Sequence, residues 1–203
     1  MKRTQLSFIG LLFSTSIILA LLSPSASPAE TCPQWAGQVV SIQGTVQMKK
    51  VGEVQWRPAQ LNETCCPGDT IRVLDNSRAD IALINQPVLR LDQNTTITLG
   101  GVKEERTSIV ELVKGAAHFF SRMPRSLGVI TGFVNAGVEG TEFFVSVDES
   151  KTFITIFEGK VLASNQSGSL AITSGKSAVA QAGRAPELRV VVRPRDAVQW
   201  NLY

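Results

Sequence analysis

The chain has 203 residues, of which 43% are hydrophobic and 18% charged, and its formal net charge is +3 at pH 7. This balance excludes a disordered or collagen-like chain. The small net charge provides no strong field that would attract nucleic acid or an acidic membrane. We therefore expect one globular domain with a hydrophobic core.

The N-terminus has the features of a secretory signal. Two basic residues, Lys2 and Arg3, precede the apolar run 6–22, and a stretch of small residues, 23–29, follows it. A cut after Ala29 would place small residues at the −3 and −1 positions of the cleavage site. We predict a cleaved signal peptide and a periplasmic or otherwise exported protein.

A retained membrane anchor is the alternative, because the apolar run is just long enough to span a bilayer. The polar residues within the run and the cleavage-like flank favour removal. A lipid anchor on Cys32 is disfavoured, since the acidic Glu30 stands close before it. We expect no membrane span after processing.

Export would place the three cysteines in an oxidising compartment. Cys32 could then form a disulfide with Cys65 or with Cys66 and tie the N-terminal arm to the body, which leaves one thiol over. A zinc or copper site would need more ligands, because His118 is the only histidine. We predict no metal site and no cofactor.

Beyond residue 36 the chain alternates between apolar and polar residues in short stretches that Gly, Asn, Asp and Pro interrupt. No window has helical periodicity. The pattern predicts an all-β, antiparallel-rich fold of many short strands, either a sandwich, a barrel or a solenoid-like β roll. The stretch 153–157 is apolar on both faces and should be a central strand, whereas 103–106 should lie at an edge or in a loop.

Catalysis has little support in the sequence. The candidate general base, His118, lies in a strand-like run, where a histidine is more often packed than catalytic. Carboxylate pairs such as Asp69 with Asp75, or Glu104 with Glu105, suit turn capping or a solvated surface. The sequence has no phosphate-binding loop, calcium loop or basic and aromatic nucleic-acid surface. We expect a non-catalytic binding or structural module.

Over residues 37–182, six motifs follow in a defined order and spacing: Gly37-Gln-Val-Val-Ser-Ile-Gln-Gly44-Thr-Val46, Pro67-Gly68-Asp69-Thr-Ile71, Asn76-Ser77-Arg-Ala79-Asp-Ile-Ala-Leu83, Val110-Glu-Leu112-Val-Lys-Gly115, Val138-Glu-Gly140-Thr141-Glu142-Phe143 and Glu158-Gly159-Lys-Val161. In these motifs the chain resembles the FecR domain, the periplasmic part of the iron-dicitrate transport regulator FecR and its relatives.

The matching positions are interpreted as fold determinants with no active site on them: Gly44, Gly68, Asp69, Ser77, Gly115, Gly140, Thr141, Phe143 and Gly159. Gly68 can supply a positive φ, and Asp69 can cap the following turn. Gly140 would permit a bulge or close approach of strands, where the Thr141 hydroxyl could satisfy an unpaired backbone group.

The resemblance implies a binding or signalling function. Regulators in this family resemble anti-sigma factors, with a cytoplasmic helical segment, one membrane span and then the exported domain. Only residues 1–5 precede the apolar run here, too few for a domain that binds a sigma factor. We expect an exported, non-catalytic module whose partner is an envelope protein or a glycan, with a structural envelope component as the alternative. Iron is a property of the founding relatives, and this chain has no ligand cluster for it.

The predicted organisation is a signal peptide over 1–29, an N-terminal arm over 30–36, a FecR-like β domain over 37–182 and a C-terminal tail over 183–203. In the tail, Trp200 and Tyr203 could pack on the β domain or on a partner.

Overall fold

The structure is a computed structural model and describes residues 32–103, 107–121, 123, 127–139, 142–190, 195, 198 and 199. This part of the chain contains 17 β-strands and no α-helix, which confirms the all-β prediction. No helix among these residues is long and apolar enough to cross a membrane. The predicted signal peptide, Gly140, Thr141, Trp200 and Tyr203 lie outside the described residues.

The strands are β1 (Gly37–Gln43), β2 (Val46–Lys49), β3 (Arg57–Pro58), β4 (Thr64–Cys65), β5 (Thr70–Val73), β6 (Arg78–Leu83), β7 (Val88–Leu91), β8 (Thr96–Lys103), β9 (Thr107–Phe120), β10 (Leu127–Ile130), β11 (Asn135–Val138), β12 (Glu142–Val147), β13 (Lys151–Glu158), β14 (Lys160–Asn165), β15 (Gly168–Thr173), β16 (Ser177–Gln181) and β17 (Glu187–Arg189).

These strands form two sheets that share β9. Sheet A has the order β4-β1-β6-β7-β9-β12-β13-β16-β17. Sheet B has the order β3-β2-β5-β8-β9-β10-β11-β14-β15. Among these pairs only β9 with β10 is parallel. The strand containing 153–157, β13, is paired on both sides, as its two-sided apolar pattern predicts.

The long strand β9 passes from sheet B to sheet A at Gly115. Residues 107–114 pair with β8, and residues 115–120 pair with β12. Gly115 has φ +90°, and a Cβ there would lie 2.5 Å from the Thr95 Cα. The Thr95 hydroxyl accepts a hydrogen bond from Ala116 N and donates one to Ala116 O, both at 3.0 Å. This contact holds the strand where it changes sheets, and only glycine fits without strain.

Apolar side chains from both sheets form one continuous core. Near its centre, the rings of Phe119 on β9 and Phe143 on β12 stack with centroids 4.7 Å apart. The alternating patterns of β6, of β7 and of β9 on each side of Gly115 place every second side chain toward this core and the others toward the outer face. The outward side chains are therefore free to build a surface.

Two of the resemblance motifs meet at Gly44. The residue has φ +74° and lies directly against Ser77, so a side chain would collide with the Ser77 hydroxyl. That hydroxyl accepts a hydrogen bond from Thr45 N at 2.7 Å and donates one to Asp75 O at 2.9 Å. The turns before β2 and β6 are thereby joined.

A buried carboxylate organises the turn before β5. Asp69 accepts hydrogen bonds from Val51 N at 3.0 Å, Cys66 N at 2.8 Å and the Lys50 ammonium at 2.9 Å. Gly68, beside it, lies in the turn between β4 and β5, and Gly159 lies between β13 and β14. Two backbone N–H donors and the charged Lys50 ammonium compensate for burying the Asp69 carboxylate.

The disulfide joins Cys32 to Cys66, one of the two predicted pairings, with the Cα atoms 5.7 Å apart. It connects the N-terminal arm to the turn that Asp69 organises. The remaining thiol, Cys65, is buried in the core, and burial raises its pKa to about 12. Cys65 is therefore protonated and unreactive at neutral pH.

Candidate functional site

The outer surface of sheet A has its most varied chemistry where β7, β9 and β12 lie side by side. Leucines of β7 and Phe119 of β9 face the core, so the alternate residues face outward. The pairing aligns these outward residues in two cross-strand rows: Val88, Phe120 and Glu142 in one, and Arg90, His118 and Phe144 in the other. Each row brings together residues that are up to 54 positions apart in the chain.

The first row forms the floor of a depression that we call the outer cleft, with a volume of about 520 Å³. The outer cleft is lined by Gln86, Val88, Arg90, Phe120, Ser121, Glu142 and Glu158. It combines one guanidinium, two carboxylates and an aromatic ring. Such a mixture suits recognition of a partner that offers both apolar and charged groups.

His118 lies in the row beside this cleft and is only 3% exposed. Its Nε2 is 3.1 Å from Glu142 Oε1, and its ring centroid is 4.1 Å from that of Phe120 and 5.4 Å from that of Phe157. Burial, and then the positive charges of Arg90 and Arg195, lower the pKa of His118 to about 4. At neutral pH the ring is therefore uncharged.

The neutral ring fixes the position of Glu142, because a neutral histidine whose Nε2 faces a carboxylate donates its proton there. Ser121, at the rim of the cleft, uses its hydroxyl to donate to Met123 O at 3.0 Å. His118 thus has a carboxylate partner, and it acts here as a packed group that positions Glu142.

Arg90 is held across the floor of the cleft. Its guanidinium carbon is 5.1 Å from the Phe120 ring centroid, and its Nε is 3.6 Å from Asp80 Oδ2. The side chain is still 44% exposed, so part of the guanidinium faces solvent. Stacking on the ring orients the charge without removing it from water.

Arg195 reaches the same face of sheet A. The guanidinium carbon of Arg195 is 5.8 Å from the Phe157 ring centroid. Close by, the hydroxyls of Thr155 and Ser177 are buried and form a hydrogen bond of 2.9 Å across β13 and β16. The outer face of sheet A is thus open at the cleft and enclosed beside it.

Within the described ranges, no group of three or more His, Cys, Asp or Glu side chains is arranged to hold a metal ion. Sequence reasoning considered His118 but did not single out Arg90, Phe120 or Glu158. The outward alternation of β7 and β9 would have placed Arg90 and Phe120 on a surface. It could not show that the two strands are neighbours.

Residues 69–162 match the model of the FecR protein family. This part of the chain, 94 of its 203 residues, is similar to a FecR domain. The match extends from the buried Asp69 to β14 and includes every residue that lines the outer cleft. The resemblance drawn from the motifs is confirmed over this range.

Two crystal structures, each of a candidate anti-sigma factor from Parabacteroides distasonis, share the fold. One was determined at 1.65 Å and the other at 2.50 Å resolution, and both give a TM-score of 0.57 at 15% sequence identity. The similarity covers 65% of this chain but only 63% and 64% of those chains. It establishes a common fold and no more. A comparison with curated proteins finds no significant match.

Proposed function

We propose that this FecR domain is exported and acts in the periplasm or cell envelope as a non-catalytic signalling module, and that the outer cleft is where it contacts an envelope protein. The observation that carries the proposal is the placement of Arg90 over Phe120 in a cleft that two carboxylates, Glu142 and Glu158, also line. Protein interfaces are enriched in arginine and aromatic residues at the points that contribute most to affinity.

The geometry of the outer cleft favours a protein partner. Arg90 is oriented by Phe120 and Asp80, so little conformational freedom is lost when it binds an acceptor. Glu142 is positioned by His118, and Glu158 lines the same depression. A polypeptide that presents an apolar side chain flanked by an acidic and a basic residue would match the cleft. Its apolar side chain would contact Phe120, its acidic residue Arg90, and its basic residue the two carboxylates. A glycan would use the ring of Phe120 but would leave the opposed charges without ionic partners.

A non-catalytic role agrees with the environment of His118. A general base needs an accessible nitrogen and a pKa near the working pH. His118 is buried, its Nε2 faces Glu142, and its pKa is about 4. The match of residues 69–162 to the FecR family, which the sequence resemblance associates with regulators, and the fold shared with candidate anti-sigma factors support a signalling role.

Site-specific photo-crosslinking in the native envelope tests the contact. A photoreactive residue at position 88, in the floor of the outer cleft, should yield one defined protein adduct. The same residue at position 98, on sheet B, is the matched control and should not yield it. Phe120→Ala or Arg90→Glu should reduce the adduct from position 88 by about tenfold, as expected for loss of a central contact.

Equal adducts from positions 88 and 98, or an adduct that both variants leave unchanged, would contradict the proposed surface. Fractionation with N-terminal sequencing of the mature protein tests export separately. A purely structural role would instead show envelope leakage on deletion of the gene, with the signalling response intact.

A further inference from the structure

Among the residues that the structure describes, the two sheets end in four edge strands, and three of them are poorly suited to pairing with another chain. The edges β3 and β4 are two residues long, and β3 includes Pro58. The edge β17 has three residues, two of them charged. Short, charged or proline-containing edges are how proteins avoid unwanted strand pairing.

The fourth edge, β15, has none of these protections. It spans six residues, Gly168–Thr173, without a charge or a proline. Ser169, Ala171 and Thr173 are exposed along it. An uncharged edge of this length provides a ready template for another strand.

The hairpin shows which backbone groups of β15 face outward. Asn165 pairs with Gly168 across a two-residue turn, so this pair must exchange the hydrogen bonds that close the hairpin. The bonded pairs then recur at every second residue, at Leu170 and Ile172. The N–H and C=O groups of Ser169, Ala171 and Thr173 consequently point away from β14.

We propose that β15 pairs antiparallel with β15 of a second copy of this chain, about a two-fold axis at Ala171. This pairing does not depend on what the outer cleft binds. Ala171 would exchange two hydrogen bonds with its counterpart, and Ser169 would do the same with Thr173 of the other copy. Thr173 O already accepts from Lys176 N at 3.0 Å, and its second lone pair is available for the new bond.

The register is self-complementary. Ser169 and Thr173 are each two residues from Ala171, so the two-fold operation places outward-facing groups opposite outward-facing groups. No charged side chain of β15 meets a like charge in this arrangement. The result is an isologous interface in which the two copies of sheet B become one sheet.

An apolar row on the outer face of sheet B leads to this axis. The row consists of Ile109, Gly128, Gly137, Leu162 and Ala171, each paired with the next across neighbouring strands. It follows a groove of about 470 Å³, and Leu162 in it is 46% exposed. In the dimer Leu162 and Ala171 of one copy continue into Ala171 and Leu162 of the other. This continuity favours a second copy over an unrelated strand.

Sedimentation equilibrium over a concentration series tests the pairing, with Ala171→Pro and Ala171→Lys as disrupting variants. Because the Ala171 N–H points outward, proline there removes two hydrogen bonds from the dimer and none from the hairpin. We expect a reversible dimer of the wild-type chain whose dissociation constant rises by about tenfold or more in either variant. Leu188→Lys, on the charged edge β17, is the matched control and should remain dimeric.

Cysteine crosslinking tests the register even if a substitution weakens the fold. Ala171→Cys should form a disulfide-linked dimer on oxidation, since paired antiparallel residues have Cα separations within the range that a disulfide spans. Ser169→Cys should link to Thr173→Cys of the other copy and not to itself. A wild-type chain that stays monomeric at every concentration, a dissociation constant that both Ala171 variants leave unchanged, or equal crosslinking at Leu188→Cys would overturn the proposal.

Discussion

The outer faces of the two sheets present different chemistry on the same backbone pattern. On sheet A the outward rows contain Arg90, His118, Phe120 and Glu142, which contact one another through stacking and hydrogen bonds. On sheet B the corresponding row is built from two glycines and three alkyl side chains, and it ends at an open edge. Sheet A is therefore suited to recognition by side chains, and sheet B to recognition by the backbone.

The difference shows how one β fold can hold two kinds of contact apart. Side-chain recognition needs charges that are held in place, and buried His118 holds Glu142. Backbone recognition needs a strand without charges or large side chains at its edge, which β15 provides. Strand β9 contributes to both faces, so the two contacts share one structural element.

The largest effect is expected at that shared element. Gly115→Ala forces a side chain into a positive-φ position with its Cβ 2.5 Å from the Thr95 Cα. We expect a loss of about 4 kcal/mol in the free energy of unfolding, measured by urea denaturation. Because β9 builds both faces, the crosslink from the outer cleft and the dimer should be lost together.

Gly132→Ala is the matched control for this variant. Gly132 does not have a positive φ, and a Cβ there would meet no atom within 4 Å. Its stability should stay within about 1 kcal/mol of wild type. If Gly115→Ala abolished one contact and spared the other, the two faces would not depend on a common β9.

A pH titration addresses the sheet A face alone. The unfolded chain binds a proton at His118 near its ordinary pKa of 6.5, whereas the folded chain does so only near pH 4. Between these values the unfolded state binds more protons, so the free energy of unfolding falls as the pH is lowered from 6.5 to 4. The contribution from His118 should be about 3 kcal/mol.

Denaturation profiles of wild type and His118→Gln isolate this contribution, because glutamine does not titrate and can still donate to Glu142. As the pH is lowered, the wild type should therefore lose stability relative to the variant. If the two profiles ran parallel from pH 7 to pH 4, His118 would not titrate as its burial requires. Dimerisation through β15 should not change with this titration.

Much of the fold could be predicted from local pattern. Alternation placed Ile71, Ile81 and Leu89 on strands, and all three are buried in the core. The neighbours of each strand could not be predicted. Alternation of apolar and polar residues shows which face of the sheet a side chain occupies, but it does not show which strand pairs with which. In the sequence of β9, only Gly115 indicates that the strand passes from one sheet to the other, because the alternation resumes after it.

The site was harder to predict, because its parts come from distant segments. Arg90 and Phe120 meet through strand pairing, and the low pKa of His118 depends partly on Arg195, far along the chain. The choice between Cys65 and Cys66 has a simpler physical basis. Adjacent residues of an extended chain face opposite sides, so once Cys65 faces the core, Cys66 is the one available to the N-terminal arm.

The smallest effect on stability is expected at Leu162 on sheet B, and it separates folding from assembly. Its side chain is 46% exposed in the monomer, so Leu162→Ser should change the free energy of unfolding by no more than about 0.5 kcal/mol.

In the proposed dimer Leu162 lies beside Ala171 near the two-fold axis, where it would become more buried. The dissociation constant should therefore rise about threefold to tenfold. Leu188→Ser, at a similarly exposed leucine on β17, should change neither quantity. A large loss of stability in Leu162→Ser would mean that the row belongs to the core of one chain, and an unchanged dissociation constant would confine the interface to the backbone of β15.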